Sequence, residues 1–174
     1  FTQRGRCYWL KVYEIPEGNK TSKGRAIQNL LNLAADDKVT AFIRIEQLQD
    51  AEYANSHYLL FCTKQGVVKK TLLEAYSRPR QNGVNAITIR ENDSVIQVLL
   101  TDGTNEVLLA NRNGRAIRFN ETKVREMGRT ATGVRGMLLD DEQDEVVGMV
   151  VVNPEEAYNV MVVSENGYGK RSEL

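Results

Sequence analysis

The sequence predicts an all-β, propeller-like fold built from about three four-stranded units. Two observations lead to this prediction. Short apolar runs alternate with turn residues along the chain, and one succession of landmarks recurs about every 50 residues. Frequent short strands are typical of sandwiches, barrels and propellers, and a repeat of about 40 to 50 residues with four strands is typical of propeller blades. A β-sandwich whose hairpins merely look alike is the alternative.

The first landmark is a glycine that ends a polar turn after a short apolar run. Successive glycines of this kind are 61, 48 and 53 residues apart, at Gly5, Gly66, Gly114 and Gly167. Glycine adopts the positive φ of a tight hairpin without steric penalty. We therefore predict equivalent hairpin turns at these positions, most strongly at the last two, where asparagine precedes the glycine.

Two further landmarks follow each of the first three turns. The second landmark begins with a glycine 17 to 19 residues later, in Gly24–Ile27, Gly83–Ile87 and Gly133–Met137. The third is an acidic turn at Asp37, Asp93 or Asp144, and the strands predicted behind it are Thr40–Ile43, Ile96–Leu100 and Val147–Val152. The last strand of each unit is predicted at Tyr58–Phe61, Glu106–Leu109 and Tyr158–Val162.

This order divides the chain into blade-like units. We predict units at 1–61, 62–109 and 110–162, and the start of a fourth at 163–174. Closed propellers have about four to eight blades, so we expect these units to belong to a larger ring.

Charge alternates with the phase of the repeat, although the 23 basic and 23 acidic residues cancel in total. Residues 1–35, 64–90 and 112–139 carry net charges of +4, +5 and +5, whereas residues 36–63, 91–111 and 140–156 carry −3, −4 and −7. Equivalent phases of neighbouring repeats lie on the same edge, which predicts a basic rim suited to a long polyanion. The other interpretation is that these lysines and arginines only decorate solvated loops.

No catalytic, cofactor or metal site is predicted. The chain has neither a P-loop nor a dinucleotide fingerprint, and its one histidine, His57, precedes a predicted strand. Cys7 and Cys62 lie in strand-like segments and fit a reducing compartment better than a disulfide or zinc site. The acidic run from Asp140 to Glu145 lacks the spacing of a calcium loop. No apolar run approaches the roughly 18 residues that a membrane span needs.

Three segments resemble successive repeats of a known family, the C-terminal domain of the A subunit of bacterial DNA gyrase. The first is Gly5–Glu17 with Gly24–Leu31, the second is Tyr76–Arg80 with Asn82–Ile87, and the third is Arg125–Arg129 with Ala131–Gly136. The resemblance covers essentially the whole chain. The corresponding domain of the topoisomerase IV A subunit has the same architecture and is the nearest alternative.

The resemblance implies a β-pinwheel of six blades whose basic perimeter bends and wraps double-stranded DNA without reading its sequence. It implies membership of an ATP-dependent type II topoisomerase that introduces negative supercoils in the bacterial cytoplasm, associated with the nucleoid. The expected partners are the gyrase B subunit and the N-terminal part of the gyrase A subunit in an A2B2 holoenzyme, with ATP and Mg²⁺ acting there and not in this segment. The family's nucleophilic tyrosine adjoins an arginine, and no such pair occurs here.

One family motif is absent. The wrapping box, Gln-Arg-x-Gly-Gly-Lys-Gly, does not occur, and Gln3-Arg4-Gly5 is similar only at its start because Arg6 and Cys7 follow. We expect the box upstream of Phe1, and we expect productive wrapping to depend on it.

Cations that neutralise phosphates along a curved surface bind DNA without base readout. The candidate cations fall into two groups. The turn cations flank the turn glycines: Arg4, Arg6, Lys64, Lys69, Lys70, Arg112, Arg115, Arg118, Lys170 and Arg171. The loop cations surround the second landmark: Lys20, Lys23, Arg25, Arg78, Arg80, Arg125, Arg129 and Arg135. The competing functions are a protein-interaction propeller that uses its acidic face and, less favoured, a carbohydrate-active enzyme.

Overall fold

The computed structural model describes all residues from 1 to 174. Short strands dominate it, and the α-helical part is a single six-residue helix, α1 (Ala51–Ser56). Single 3-10 turns occur at Val12–Glu14, Ile27–Asn29, Leu73–Tyr76 and Glu121–Lys123. The strands are β1 (Arg6–Cys7), β2 (Tyr58–Thr63), β3 (Val67–Leu72), β4 (Val84–Asn85), β5 (Val95–Thr101), β6 (Glu106–Asn111), β7 (Ala116–Asn120), β8 (Val134–Arg135), β9 (Val146–Val152), β10 (Asn159–Val163) and β11 (Gly169–Glu173).

The strands form four open antiparallel sheets. Their strand orders are β5-β2-β3-β8, β7-β6-β9, β1-β4 and β10-β11. Only the first sheet has the four strands predicted for a blade, and the other three are smaller. The predominance of strands confirms the predicted all-β class.

The four hairpin turns share one hydrogen-bond pattern. Gly5, Gly66, Gly114 and Gly167 have φ values of +77°, +78°, +83° and +81°. Each glycine amide donates to the carbonyl three residues earlier, over 2.9 to 3.2 Å. The side-chain oxygen of that earlier residue (Thr2, Thr63, Asn111 or Ser164) accepts from the amide after the glycine. The prediction of equivalent hairpin turns is confirmed.

Each acidic turn supports the hairpin turn of its own unit. The carboxylates of Asp37, Asp93 and Asp144 accept from the backbone amide that precedes the turn glycine, at 3.1, 2.9 and 3.4 Å. Each carboxylate also accepts from the amide of the residue that follows the aspartate. The repeated acidic landmark is therefore a structural element, because these charge-assisted bonds fix the two turns against each other.

A short strand of one unit pairs with the sheet of the unit before it. The two-residue strand β4 pairs with β1, and β8 pairs with β3, so each lies in the sheet of the preceding unit. The carbonyl of Gly5 accepts from the amide of Ala86 at 2.7 Å, and the carbonyl of Gly66 accepts from that of Gly136 at 2.8 Å. The second landmarks at Gly83 and Gly133 thus connect their units to the preceding ones.

Strand β2 lies between two hydrophobic clusters. Leu59 and Phe61 belong to one cluster, and Leu60 and Cys62, on the opposite face of the strand, belong to the other. All four are at most 1% exposed. Because successive side chains of a strand point to opposite faces, a continuous apolar run indicates a strand that is covered on both sides.

One segment differs from its prediction. Thr40–Ile43 was expected to form a strand, but the structure shows only an isolated bridge between Thr2 and Val39. The counterparts of this segment, β5 and β9, pair with the strands that precede the turn glycines, β2 and β6. Beside the Gly5 turn, the pairing consists of this bridge and a few backbone bonds, such as that from the amide of Thr40 to the carbonyl of Phe1 at 2.9 Å.

Candidate nucleic-acid interface

Seven turn cations are exposed, and five of them are paired with carboxylates. Lys64 and Arg112 both contact Glu145, at 2.5 and 3.0 Å. The remaining pairs are Arg4 with Asp36, Arg115 with Asp140 at 2.7 Å, and Arg118 with Glu106 at 3.0 Å. Four of these five cations are paired with the acidic turns, and Arg118 is paired with β6. The acidic turns therefore neutralise much of the positive charge beside the turn glycines.

Most loop cations are exposed and have no carboxylate within 4.0 Å. This holds for Lys20, Lys23, Arg25, Arg78, Arg80, Arg125 and Arg135. Lys170 and Arg171, on β11, are likewise exposed and unpaired. The loops around the second landmark therefore carry seven unpaired cations, the largest group of free positive charge in the domain.

The loops of the second and third units lie side by side. Thr88 donates its hydroxyl to the carbonyl of Thr130 at 2.6 Å and its amide to the carbonyl of Ala131 at 3.2 Å. Thr88 follows the segment that carries Arg80, and Thr130 follows Arg129. The cations of these two loops consequently belong to one continuous surface.

The loop of the third unit runs along the edge of β3. The backbone of Glu126 forms an isolated parallel β-bridge with that of Lys70, near the end of that strand. Arg135 pairs with Val67 at the start of the strand. The segment from Arg125 to Arg135 therefore reaches from the loop end of the unit to the Gly66 turn. The two predicted groups of cations are thereby joined along one edge of the sheet.

Two arginines of the predicted set are half-buried and hold the structure together. Arg6 donates to the carbonyl of Asn82 at 2.7 Å, with its guanidinium 5.9 Å from the ring centroid of Tyr8. Arg129 donates to the carbonyl of Ala75 at 3.2 Å. Both link one unit to the next, so less of their donor capacity faces solvent.

Lys69 and Lys70 are corrections to the predicted set, because both are buried. Lys69 is 0% exposed, and its amino group donates to the carbonyls of Ala86 and Arg129 at 2.5 and 2.7 Å. Lys70 is 7% exposed and donates to the carbonyl of Glu121 at 2.9 Å. Their ammonium groups are satisfied inside the protein and do not reach a ligand at its surface.

Three exposed, unpaired cations of the basic phases lie outside the predicted set. Lys11, Arg90 and Lys123 lie in the basic phases 1–35, 64–90 and 112–139 and have no carboxylate within 4.0 Å. The charge of each phase includes them, but none of the three flanks a turn glycine or the second landmark. The phase of the repeat was the signal that could have identified them.

The residues with possible catalytic chemistry lie in structural surroundings. Burial raises the pKa of the Cys7 and Cys62 thiols to about 12, which leaves little thiolate at neutral pH. His57 stacks on Tyr53 with ring centroids 3.9 Å apart. No group of three or more His, Cys, Asp or Glu side chains is placed to hold a metal ion. The structure also has no helix of the length and apolarity that crossing a membrane requires.

Comparison with protein families gives one match along nearly the whole chain. The profile described as the DNA gyrase C-terminal domain, a β-propeller, matches residues 1–46, 57–102, 105–153 and 158–174. The chain belongs to this family. The match confirms the predicted propeller-like fold.

Curated relatives and solved structures agree with this membership. The DNA gyrase A subunit of Salmonella typhimurium is 43% identical over 99% of this chain, and that of Haemophilus influenzae is 38% identical over 100%. The chain spans about a fifth of their length, 19% and 22% respectively. The C-terminal domain of a DNA topoisomerase IV has a TM-score of 0.86 at 31% identity, covering 100% of this chain and 52% of its own. A DNA gyrase A C-terminal domain has a TM-score of 0.78 at 28% identity, covering 98% and 52%.

Proposed function

We propose that this domain binds duplex DNA through the phosphate backbone, without reading base sequence. The observation behind the proposal is that Arg78, Arg80 and Arg125 are exposed and have no carboxylate partner, on loops that contact each other. Cations without an internal partner release counterions from DNA when they bind, which is the main source of sequence-independent affinity. Phosphate contacts position a protein on DNA but carry no direct base information.

The continuous surface of the two loops favours bending of the bound DNA. Bending a site of about 20 to 30 base pairs by 40 to 90° costs on the order of 1–6 kcal/mol, so several phosphate contacts are needed along the bend. The segment from Arg125 to Arg135 follows the edge of β3 and supplies cations at both of its ends. Repetition of this arrangement in successive units gives a curved track for one duplex.

At the level of the whole protein, we propose that the domain wraps DNA for a gyrase that introduces negative supercoils. The support is that the curated relatives are A subunits of DNA gyrase. In this proposal the gyrase B subunit and the rest of the A subunit are the partners, in an A2B2 complex in the bacterial cytoplasm. ATP hydrolysis and Mg²⁺ chemistry belong to those other parts, and this domain contributes no catalytic residue.

The second candidate is the corresponding domain of topoisomerase IV. It is favoured by the TM-score of 0.86 to a solved domain of that enzyme. The names of the relatives at 38–43% identity favour gyrase. Placing this domain, together with the upstream segment expected to carry the wrapping box, in the complete A2B2 enzyme separates the two. ATP-dependent negative supercoiling of relaxed plasmid then supports gyrase, and its absence supports topoisomerase IV.

Paired substitutions test the DNA-binding surface. Replacing Arg78 and Arg80 with Ala removes two unpaired loop cations, and we expect weaker binding to two unrelated duplexes by the same factor. The slope of log affinity against log salt should fall by about 1.8, or 0.9 for each phosphate contact. Fluorescence anisotropy at several salt concentrations measures both quantities.

The control replaces Arg115 and Arg118 with Ala, because both cations are exposed but already paired with carboxylates. This variant removes the same charge and should change the salt slope less than the loop variant does. Unchanged affinity and slope in the loop variant would contradict the proposed surface.

A further inference from the structure

Glu145 connects the hairpin turns of two neighbouring units. Its carboxylate contacts Lys64, in the Gly66 turn, at 2.5 Å and Arg112, in the Gly114 turn, at 3.0 Å. The Glu145 side chain is 18% exposed, whereas those of Lys64 and Arg112 are 49% and 62% exposed. One largely covered carboxylate therefore lies between two accessible cations.

Backbone hydrogen bonds fix this arrangement. The carbonyl of Glu145 accepts from the amide of Arg112 at 2.8 Å, and its amide donates to the carboxylate of Asp144 at 2.9 Å. The next amide, that of Val146, donates to the carbonyl of Lys64 at 2.9 Å. The fold itself thus holds Lys64, Arg112 and Glu145 together, independently of their side-chain attraction.

The arrangement is particular to this junction of units. The residues equivalent to Glu145, which directly follow the aspartates of the other acidic turns, are Lys38 and Ser94. Neither can present a carboxylate to the turns, although the backbone bonds recur there: the amide of Gln3 donates to the carbonyl of Lys38 and that of Lys64 to the carbonyl of Ser94, each at 2.8 Å. The repeat therefore supplies the geometry, and Glu145 supplies the charge at one junction.

We propose that Lys64 and Arg112 form a binding site for a DNA phosphate and that Glu145 is the built-in competitor for it. This inference rests on the proposed DNA-binding function. A carboxylate and a phosphodiester both offer two anionic oxygens to such a pair of cations. Ion pairs of exposed cations stabilise a protein only weakly, so a phosphate can displace the carboxylate. Glu145 then determines how much Lys64 and Arg112 add to the affinity for DNA.

The variant Glu145→Gln tests this competition, because glutamine keeps the size of the side chain and removes its charge. We expect this variant to bind two unrelated duplexes about three- to tenfold more tightly than the wild-type chain at about 100 mM salt. Its salt slope should steepen by about 0.9 for each cation that gains a phosphate. The control, Glu142→Gln, makes the same charge change at an exposed residue of the same acidic run that has no cation within 4.0 Å.

A triple variant identifies the site. Adding Lys64→Gln and Arg112→Gln to Glu145→Gln should abolish the gain in affinity. Titration with inorganic phosphate should also shift the NMR signals of the Lys64 and Arg112 side chains more in Glu145→Gln than in the wild type. Equal affinities of Glu145→Gln and wild type, or an equal gain in Glu142→Gln, would overturn the inference. Absence of DNA binding by the wild-type chain would instead contradict the proposed function.

Discussion

Among single residues, Lys69 has the surroundings least expected for a charged side chain. Its amino group donates to the carbonyls of Ala86, Gly128 and Arg129 and lies 5.0 Å from the ring centroid of Phe61. Burial, and secondly the Arg129 guanidinium, lower the pKa of Lys69 from 10.5 to about 7. Lys69 fixes the loops of two units against each other, and it does so from the interior.

The lowered pKa of Lys69 predicts that stability rises with pH. Between about pH 7 and 10.5 the unfolded chain holds a proton on this lysine that the folded chain has released, so unfolding becomes less favourable as the pH increases. One such proton raises the free energy of unfolding by up to about 1.4 kcal/mol per pH unit. Urea unfolding from pH 7 to 9 measures the free energy of unfolding of the wild type and of Lys69→Met. The contribution of Lys69 is the difference between the two pH slopes.

The comparison removes the contributions of other groups. The pKa of the Phe1 amino group is also lowered by burial, but it is common to both proteins. Above pH 9 the raised pKa values of Cys7 and Cys62 act in the opposite direction, which sets the upper limit of the window. Lys170→Met, at the equivalent position on exposed β11, should keep the wild-type slope. The same slope in Lys69→Met and wild type would show that Lys69 does not titrate there.

Single-residue burial could not be predicted from the local sequence. Lys69 and Lys170 both lie three residues after a turn glycine, in similar strands. One is covered by the loop of the following unit, and the other is exposed. Because the covering carbonyls of Gly128 and Arg129 are about 60 residues away in sequence, the chain pattern predicted the same role for both lysines.

At the scale of the elements, the hairpin turns have a common shape but different neighbours. A Cβ at Gly66 would lie 2.8 Å from the carbonyl oxygen of Met137, whereas a Cβ at Gly114 would have no heavy atom within 4 Å. Both glycines have positive φ, at +78° and +83°. The two turns therefore separate the backbone requirement for glycine from the packing requirement.

Alanine at the two glycines tests this difference. Gly114→Ala should lower the free energy of unfolding by about 1–2 kcal/mol, because alanine in the left-handed region is strained by that amount. Gly66→Ala should lower it by a further ~1–3 kcal/mol, since the loop that carries Met137 must move. Urea unfolding measures both values. Equal losses would contradict the tight contact between the Gly66 turn and the third unit.

The hairpins could be predicted from the sequence, but the pairing of β4 and β8 with strands of the preceding unit could not. Each turn depends on local features, an oxygen-bearing side chain three residues before a glycine, and this pattern stands in the sequence at Thr2, Thr63, Asn111 and Ser164. Strand β8 has only two residues, Val134 and Arg135, and is defined by its pairing with β3, over 60 residues earlier. A strand that short has no periodicity of its own.

At the scale of the whole molecule, ion pairing decides which positive charges are free. Counting charge by phase predicted a basic rim, but Lys64, Arg112 and Arg115 are paired with the acidic phase at residues 140–145. These pairs join parts of the chain separated by up to 81 residues, so the sequence alone did not show them. The loop cations remain unpaired and form the candidate interface.

The salt dependence of DNA binding tests this interface most directly. The measurement is the affinity of the wild-type chain for two unrelated duplexes of equal length at a series of salt concentrations. We predict equal affinities for the two duplexes and the same steep fall of log affinity with log salt concentration. The slope should amount to about 0.9 for each phosphate that the free loop cations contact. A slope near zero, or affinities that differ between the two sequences by about 1–3 kcal/mol as a base-reading contact produces, would contradict the account.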